Sequence, residues 1–179
     1  ANKHYVLIST RKVFPIISFM KFLRFLLLIV LLPIFSYGYM SDDEILFVLK
    51  NHSERGFYFD GEVASRTYKV TLKKDSNERR VFVNLSKEVL EVVSVYSTVM
   101  VLDKKPSYEL MEYLLRANNY SQSIGFFYIY YDISLDKWFI DYCVRMRQED
   151  IDKHSLIASI KLVAMFSDKA YDNLKVFLD

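Results

Sequence analysis

The chain predicts an α+β domain built on an antiparallel sheet, in the order α-β-β-β-β-α-β-β-α over residues 39–179. Three observations carry this. Segments such as Tyr68-Val70-Leu72 and Val81-Val83-Leu85 space their apolar residues two apart, the pattern of half-buried strands. Three other segments repeat apolar residues at helical spacing behind a capping or acidic start. Beyond residue 39 there are few breakers, namely Gly56, Gly61, Gly125 and Pro106, so most residues belong to regular structure. About 140 residues is near the commonest size for a domain with one core, and the aromatic content excludes disorder.

Ser41-Asp42-Asp43-Glu44 reads as a capping box opening the first helix: the serine hydroxyl accepts from the N3 amide and the glutamate reaches back. Ile45, Leu46, Val48 and Leu49 supply its apolar face, and an end near Glu54 or Arg55 is expected, with Gly56 as a left-handed cap. Phe57-Tyr58-Phe59 then predicts a short strand, with Asp60-Gly61 as hairpin turn. Arg66 to Lys73 and Arg80 to Leu85 form the next two strands around the polar turn Lys74 to Glu78. Val89 to Thr98 is β-branched on both faces, so Val92 to Thr98 is read as a central strand. Ser107 caps a second helix carrying Leu110, Met111, Leu114 and Leu115, which ends at Asn118-Asn119. Ile124 to Asp132 and Lys137 to Arg147 make an aromatic hairpin through Ile133-Ser134-Leu135-Asp136. A long helix follows the acidic stretch Gln148 to Asp152 and runs to about Val176.

Met20 to Gly38 has the layout of a secretory signal peptide. Lys21 and Arg24 form the positive region, Phe25 to Phe35 the apolar region, and Ser36 and Gly38 the small residues before a cut at Tyr39. Residues 1–19 read as sequence upstream of the true start. The alternative is a membrane anchor over residues 13–35, but Lys21 and Arg24 interrupt it, each costing roughly 2.5–3.5 kcal/mol at mid-span. A periplasmic or secreted location follows, with membrane contact only through an uncleaved leader. Residues 1–38 hold five of the 24 basic residues and none of the 22 acids, which leaves 19 bases against 22 acids and a net charge of −3. No basic stripe therefore points to nucleic acid.

No catalytic signature appears. His52 and His154 lie outside any zinc-binding spacing, and neither a G-x-S-x-G elbow nor a phosphate-binding glycine loop is present. The acid clusters Asp42-Asp43-Glu44 and Glu149-Asp150-Asp152 sit at helix starts and lack calcium-loop spacing. Cys143 is the single cysteine and reads as buried. No enzyme activity, cofactor or metal is expected. The aromatic run Phe126 to Tyr131 alternates two apolar rows, of which the helices need to cover only one. The row Phe127, Ile129 and Tyr131, with Phe139, is read as a partner-binding or dimer surface for a protein or peptide. A small-ligand carrier or sensor with an aromatic interior pocket is the alternative.

The element order, and especially Ser107 to Leu178, resembles the YbjN family of bacterial sensory transduction regulators, which is similar to the type III secretion chaperone-like fold. The likeness rests on the helix ending in Asn118, Gly125-Phe126, the aromatic hairpin, and Asp168-Lys169-Ala170-Tyr171 in the last helix. It implies a non-enzymatic domain that binds protein or peptide, with a homodimer as one form. The hairpin turn departs from the family in lacking glycine, and the leader departs from cytoplasmic members. N-terminal sequencing of the protein recovered from cells should find Tyr39 as the first residue; a chain retaining Met20 would disprove the cut.

Overall fold

A computed structural model describes residues 39–178 apart from 75, 87–90 and 120–123. The segments 1–19 and 20–38 lie outside the described residues, as do Val89 and Leu90 ahead of the fourth strand. The described elements are α1 (Asp42–Asn51), β1 (Phe57–Ala64), β2 (Thr67–Lys74), β3 (Asn77–Ser86), β4 (Val92–Leu102), α2 (Tyr108–Asn118), β5 (Phe126–Asp132), β6 (Lys137–Arg147) and α3 (Lys153–Leu174). Short 3-10 turns flank α3. The expected α+β order is the observed one. No described helix is long and apolar enough to cross a membrane.

The strands form one antiparallel sheet in the order β1-β2-β3-β4-β6-β5. Strand β4 is central, paired with β3 on one side and β6 on the other, as its β-branched sequence requires. Because paired residues share a face, Val83, Val95 and Val144 lie in one row, as do Leu85, Val93 and Met146. The α3 stripe of Leu156, Ile160, Val163, Ser167 and Leu174 closes over these rows, joined by Ile45 and Leu49 of α1 and Leu110 and Leu114 of α2. Each fully buried Leu or Ile contributes about 1.5–3 kcal/mol, so this layer supplies the main driving force.

The helix starts are locally encoded. The Ser41 hydroxyl accepts from the Glu44 amide at 3.3 Å while the Ser41 amide donates to Glu44 Oε2 at 2.8 Å, completing the capping box. Asp152 and Ser155 repeat the arrangement at α3, and Ser107 caps α2. Buried Gln148 ties the end of β6 to the start of α1 and to the residue before β4. Its Nε2 donates to Met40 O at 2.7 Å and to Asp42 Oδ1 at 3.1 Å, and its amide donates to Glu91 O at 2.7 Å.

Two local expectations are corrected. Helix α1 stops at Asn51, before Glu54, because His52 turns extended and sets its ring edge against Phe57, 4.6 Å away. Gly56 therefore lies in the link to β1 and caps no helix. Asp60-Gly61 is no hairpin turn either: β1 runs through it to Ala64, and Gly61 takes a φ of +108° at a bulge. The chain reverses at Ser65-Arg66, where Arg66 adopts a φ of 55°. Its Nε donates to Leu85 O at 2.6 Å, and its guanidinium pairs with Asp42 at 2.7 Å. In the β5–β6 turn Asp136 takes the left-handed position (φ 52°) that glycine often fills, and Asp132 accepts from the amides of Ser134 and Leu135.

Ile140 is fully buried between Met100 on β4 and Ile129 on β5. Ile140→Ala should lower the unfolding free energy by about 2–5 kcal/mol, read from urea denaturation; a loss well under 1 kcal/mol would place Ile140 outside the core.

Candidate partner-binding face

The pairing register assigns every aromatic residue of the sheet to a side. On β5, Phe126, Tyr128 and Tyr130 face Cys143, Asp141 and Phe139 of β6, while Phe127, Ile129 and Tyr131 face Tyr142, Ile140 and Trp138. The second set belongs to the helix side: Phe127 and Ile129 pack against the core, and Tyr142 stacks on Phe166 of α3 with centroids 5.6 Å apart. Strand β6 extends the first set to β4 through Cys143↔Tyr96 and Asp141↔Thr98, and β4 extends it to β3 through Tyr96↔Phe82. Among the described residues, Cys143 is the one buried apolar residue outside the core cluster, which fits a place on the side that α1, α2 and α3 leave uncovered.

The expected surface residues are thus divided by the sheet. Phe127 and Ile129 are partly buried on the helix side and Tyr131 lies on that side at the hairpin end, whereas Phe139 alone is on the helix-free side. Grouping these four on one surface is corrected, because paired residues share a face and Phe139 pairs with Tyr130. The row with Phe139 is Phe126, Tyr128 and Tyr130, joined by Phe82 and Tyr96. Phe82 and Tyr96 were legible as the positions between the inward Val81 and Val83 and beside Val95, but their rings are joined only by β3–β4 pairing.

The side that α1, α2 and α3 leave uncovered carries two groups of touching rings, with Cys143 of β6 between them. Phe82 and Tyr96 stack at 5.3 Å, Phe126 meets Tyr128 at 6.3 Å, Tyr128 stacks on Tyr130 at 5.7 Å, and Tyr130 stacks on Phe139 at 5.2 Å. The Arg145 guanidinium lies over the Phe126 ring at 5.3 Å, an interaction of the cation–π kind. These rings are half-buried, and Tyr130 is 38% exposed. Lys69 and Asp60 form an ion pair at 3.3 Å towards the β1 side, and Asp60 also accepts from the Thr71 hydroxyl at 2.6 Å. The band therefore has an apolar centre and a charged margin, the anatomy of a protein contact.

Beneath the rings lies a polar group that packing alone would not select. Asp141 has no exposed surface; its Oδ2 accepts from Tyr128 Oη at 2.9 Å, and its Oδ1 has no hydrogen-bond partner. Burial holds its carboxyl above the ordinary value, opposed by the Thr98 and Tyr128 hydroxyls. The same burial raises Tyr128, and with the nearby carboxylate pushes Tyr130 up to about 12. Burial likewise pushes the Cys143 thiol up to about 11 against the pull of Arg145, so at neutral pH this sulfur is a thiol and a poor nucleophile. His52 is paired with Glu54 at 3.1 Å and His154 is exposed in the first turn of α3. No group of three metal-ligating side chains occurs among the described residues.

On the helix side a groove of about 460 Å³ runs between α2 and α3, walled by Tyr113, Ala117, Phe127, Tyr142, Phe166 and Leu174. Its lining includes neither Tyr128 nor Trp138. No family model and no curated protein matches the chain.

Asp141 predicts a distinctive pH dependence. Its folded pKa is raised above the ordinary 3.8, so the penalty for burying the charge is absent below that value. The penalty grows as pH rises from the unfolded pKa to the folded one and is constant above it. Asp141→Asn, which keeps an acceptor for Tyr128, should stabilise the domain at neutral pH and lose that advantage towards pH 4. Urea titrations of both forms across this range decide it, and an equal difference at every pH would refute it.

Proposed function

We propose that this chain is an exported, non-enzymatic protein-binding domain, chaperone- or adaptor-like, which takes an apolar segment of another polypeptide onto the helix-free face of its sheet. The observation that carries this reading is one row of side chains, Phe82 and Tyr96, then Cys143, then Phe126 with Tyr128, Tyr130 and Phe139, on the side that α1, α2 and α3 leave uncovered. Aromatic side chains bring large contact area with few rotatable bonds, and a few such residues dominate the energy of a typical interface. The leader pattern before Tyr39 supports a periplasmic or secreted setting, and the resemblance to YbjN and secretion-chaperone domains supports a binding role. A second reading, a carrier of a small apolar ligand, is favoured by the groove beside Phe127, Tyr142 and Phe166.

One experiment separates the two. Envelope proteins chemically cross-linked to the wild type are compared with those cross-linked to Phe82→Ala, Tyr96→Ala and Ala117→Trp, with circular dichroism as folding control. Sheet-face binding predicts that the first two variants lose the cross-linked species, by about tenfold or more for an anchor residue, while Ala117→Trp retains it. Retention by Phe82→Ala and Tyr96→Ala together with loss in Ala117→Trp would move the protein contact to the groove, and an apolar ligand that co-purifies with the wild type but not with Ala117→Trp, with no cross-linked protein in any form, would favour the carrier.

A further inference from the structure

We propose that two copies of this chain join through their β5 strands, edge to edge, on a twofold axis at Tyr130. The contact uses the strand edge and, of the aromatic face, engages Tyr130 alone, leaving Phe82, Tyr96, Phe126 and Tyr128 to the partner proposed above. Among the described strands β5 pairs with β6 alone and so ends the sheet. Its backbone groups alternate between pointing at β6 and pointing outward. Asn118 identifies the outward set: the Phe127 amide donates to Asn118 Oδ1 at 2.6 Å, and Asn118 Nδ2 donates to Phe127 O at 2.8 Å. By alternation the N–H and C=O of Ile129 and Tyr131 also point outward, and there they meet no partner among the described residues.

Exposed edges are ordinarily protected by charge, proline or bulges. Strand β5 has none of these between Phe126 and Tyr131, and its pairing with β6 is unbroken. The opposite edge, β1, is closed to such pairing by two register breaks, at Phe59/Gly61 and at Glu62/Ala64, and carries Asp60 and Glu62. A head-to-tail β5-to-β1 assembly, which would grow without limit, is therefore blocked. A β5-to-β5 contact is self-complementary and closes as a dimer. A second copy is thus the occupant that fits.

Asn118 also selects the register. An axis at Ile129 would set Tyr131 of the second copy against Phe127, whose groups Asn118 already holds. An axis at Tyr131 would set Ile129 against Ile133, where the chain has entered its turn. An axis at Tyr130 pairs Ile129 with Tyr131 of the second copy and Tyr131 with its Ile129, satisfying every free outward group between Phe127 and the turn. Asp132 then faces Tyr128 of the second copy and not another carboxylate. Tyr130 faces itself as a non-hydrogen-bonded pair, whose Cα atoms lie about 4.5 Å apart, within the span of a disulfide.

The test uses the protein as recovered from cells. Tyr130→Cys should form a covalent dimer under mild oxidation, whereas Tyr58→Cys, exposed on the β1 edge, should stay monomeric on a non-reducing gel. Tyr130→Lys places like charges across the axis and should raise the dimer dissociation constant roughly tenfold or more in sedimentation equilibrium, with the circular dichroism of the wild type. A wild type that remains monomeric through the concentration series overturns the proposal, and so does equal cross-linking of the two cysteine variants. If Tyr130→Lys fails to fold, the cysteine pair alone decides.

Discussion

Every strand of the sheet presents two faces, and the three described helices supply apolar cover for one. Most of the remaining organisation follows from that constraint. The aliphatic residues Val81, Val83, Leu85, Val93, Val95, Ile140 and Val144 crowd onto the covered side, where α3 excludes water. The residues left for the other side are those that tolerate half-burial, chiefly tyrosine and phenylalanine, whose rings cover the backbone and one another. A one-residue slip between β4 and β6 would exchange the two populations, so the valine-rich rows serve register as much as stability.

Asp141 is the exception to this sorting. A buried carboxylate with one unpaired oxygen opposes folding, yet it sits at the middle of the aromatic band, bonded to Tyr128. Features that cost stability persist where the surrounding structure over-determines them, and they collect at working surfaces. Tyr128 is held through its hydroxyl and through stacking against Tyr130, which on the binding reading would fix its ring in advance. Such preorganisation lowers the entropy lost on binding.

Much of this architecture was legible in the residues themselves, and the failures have a common cause. Ser41 with Glu44 and Ser107 ahead of Leu110 announce helix starts because the capping bonds are local. The two rows of β5 and β6 are legible because side chains alternate strictly in a strand. The end of α1 was misjudged because it depends on the ring of His52 meeting Phe57, and the first hairpin because Arg66 is held by Leu85 and Asp42 from distant elements. Reading Phe127 and Ile129 with Phe139 as one uncovered row failed for a related reason, while Tyr131 at the hairpin end is 43% exposed. Alternation divides a strand into two rows but carries no information on which one the helices will take, and β4 and α3 decide that together.

The anchoring of Met40 has a temporal consequence. Its carbonyl accepts from Gln148 at the end of β6, and its side chain is buried. On the export reading, only Tyr39 separates the scissile bond from this anchored position. A peptidase needs extended residues on both sides of the bond it cuts, and Met40 O is free of its hydrogen bond only before Gln148 reaches it. On that reading, trimming would come before closure of the fold around Met40. A chain that folded early would shield its own processing point and remain tethered.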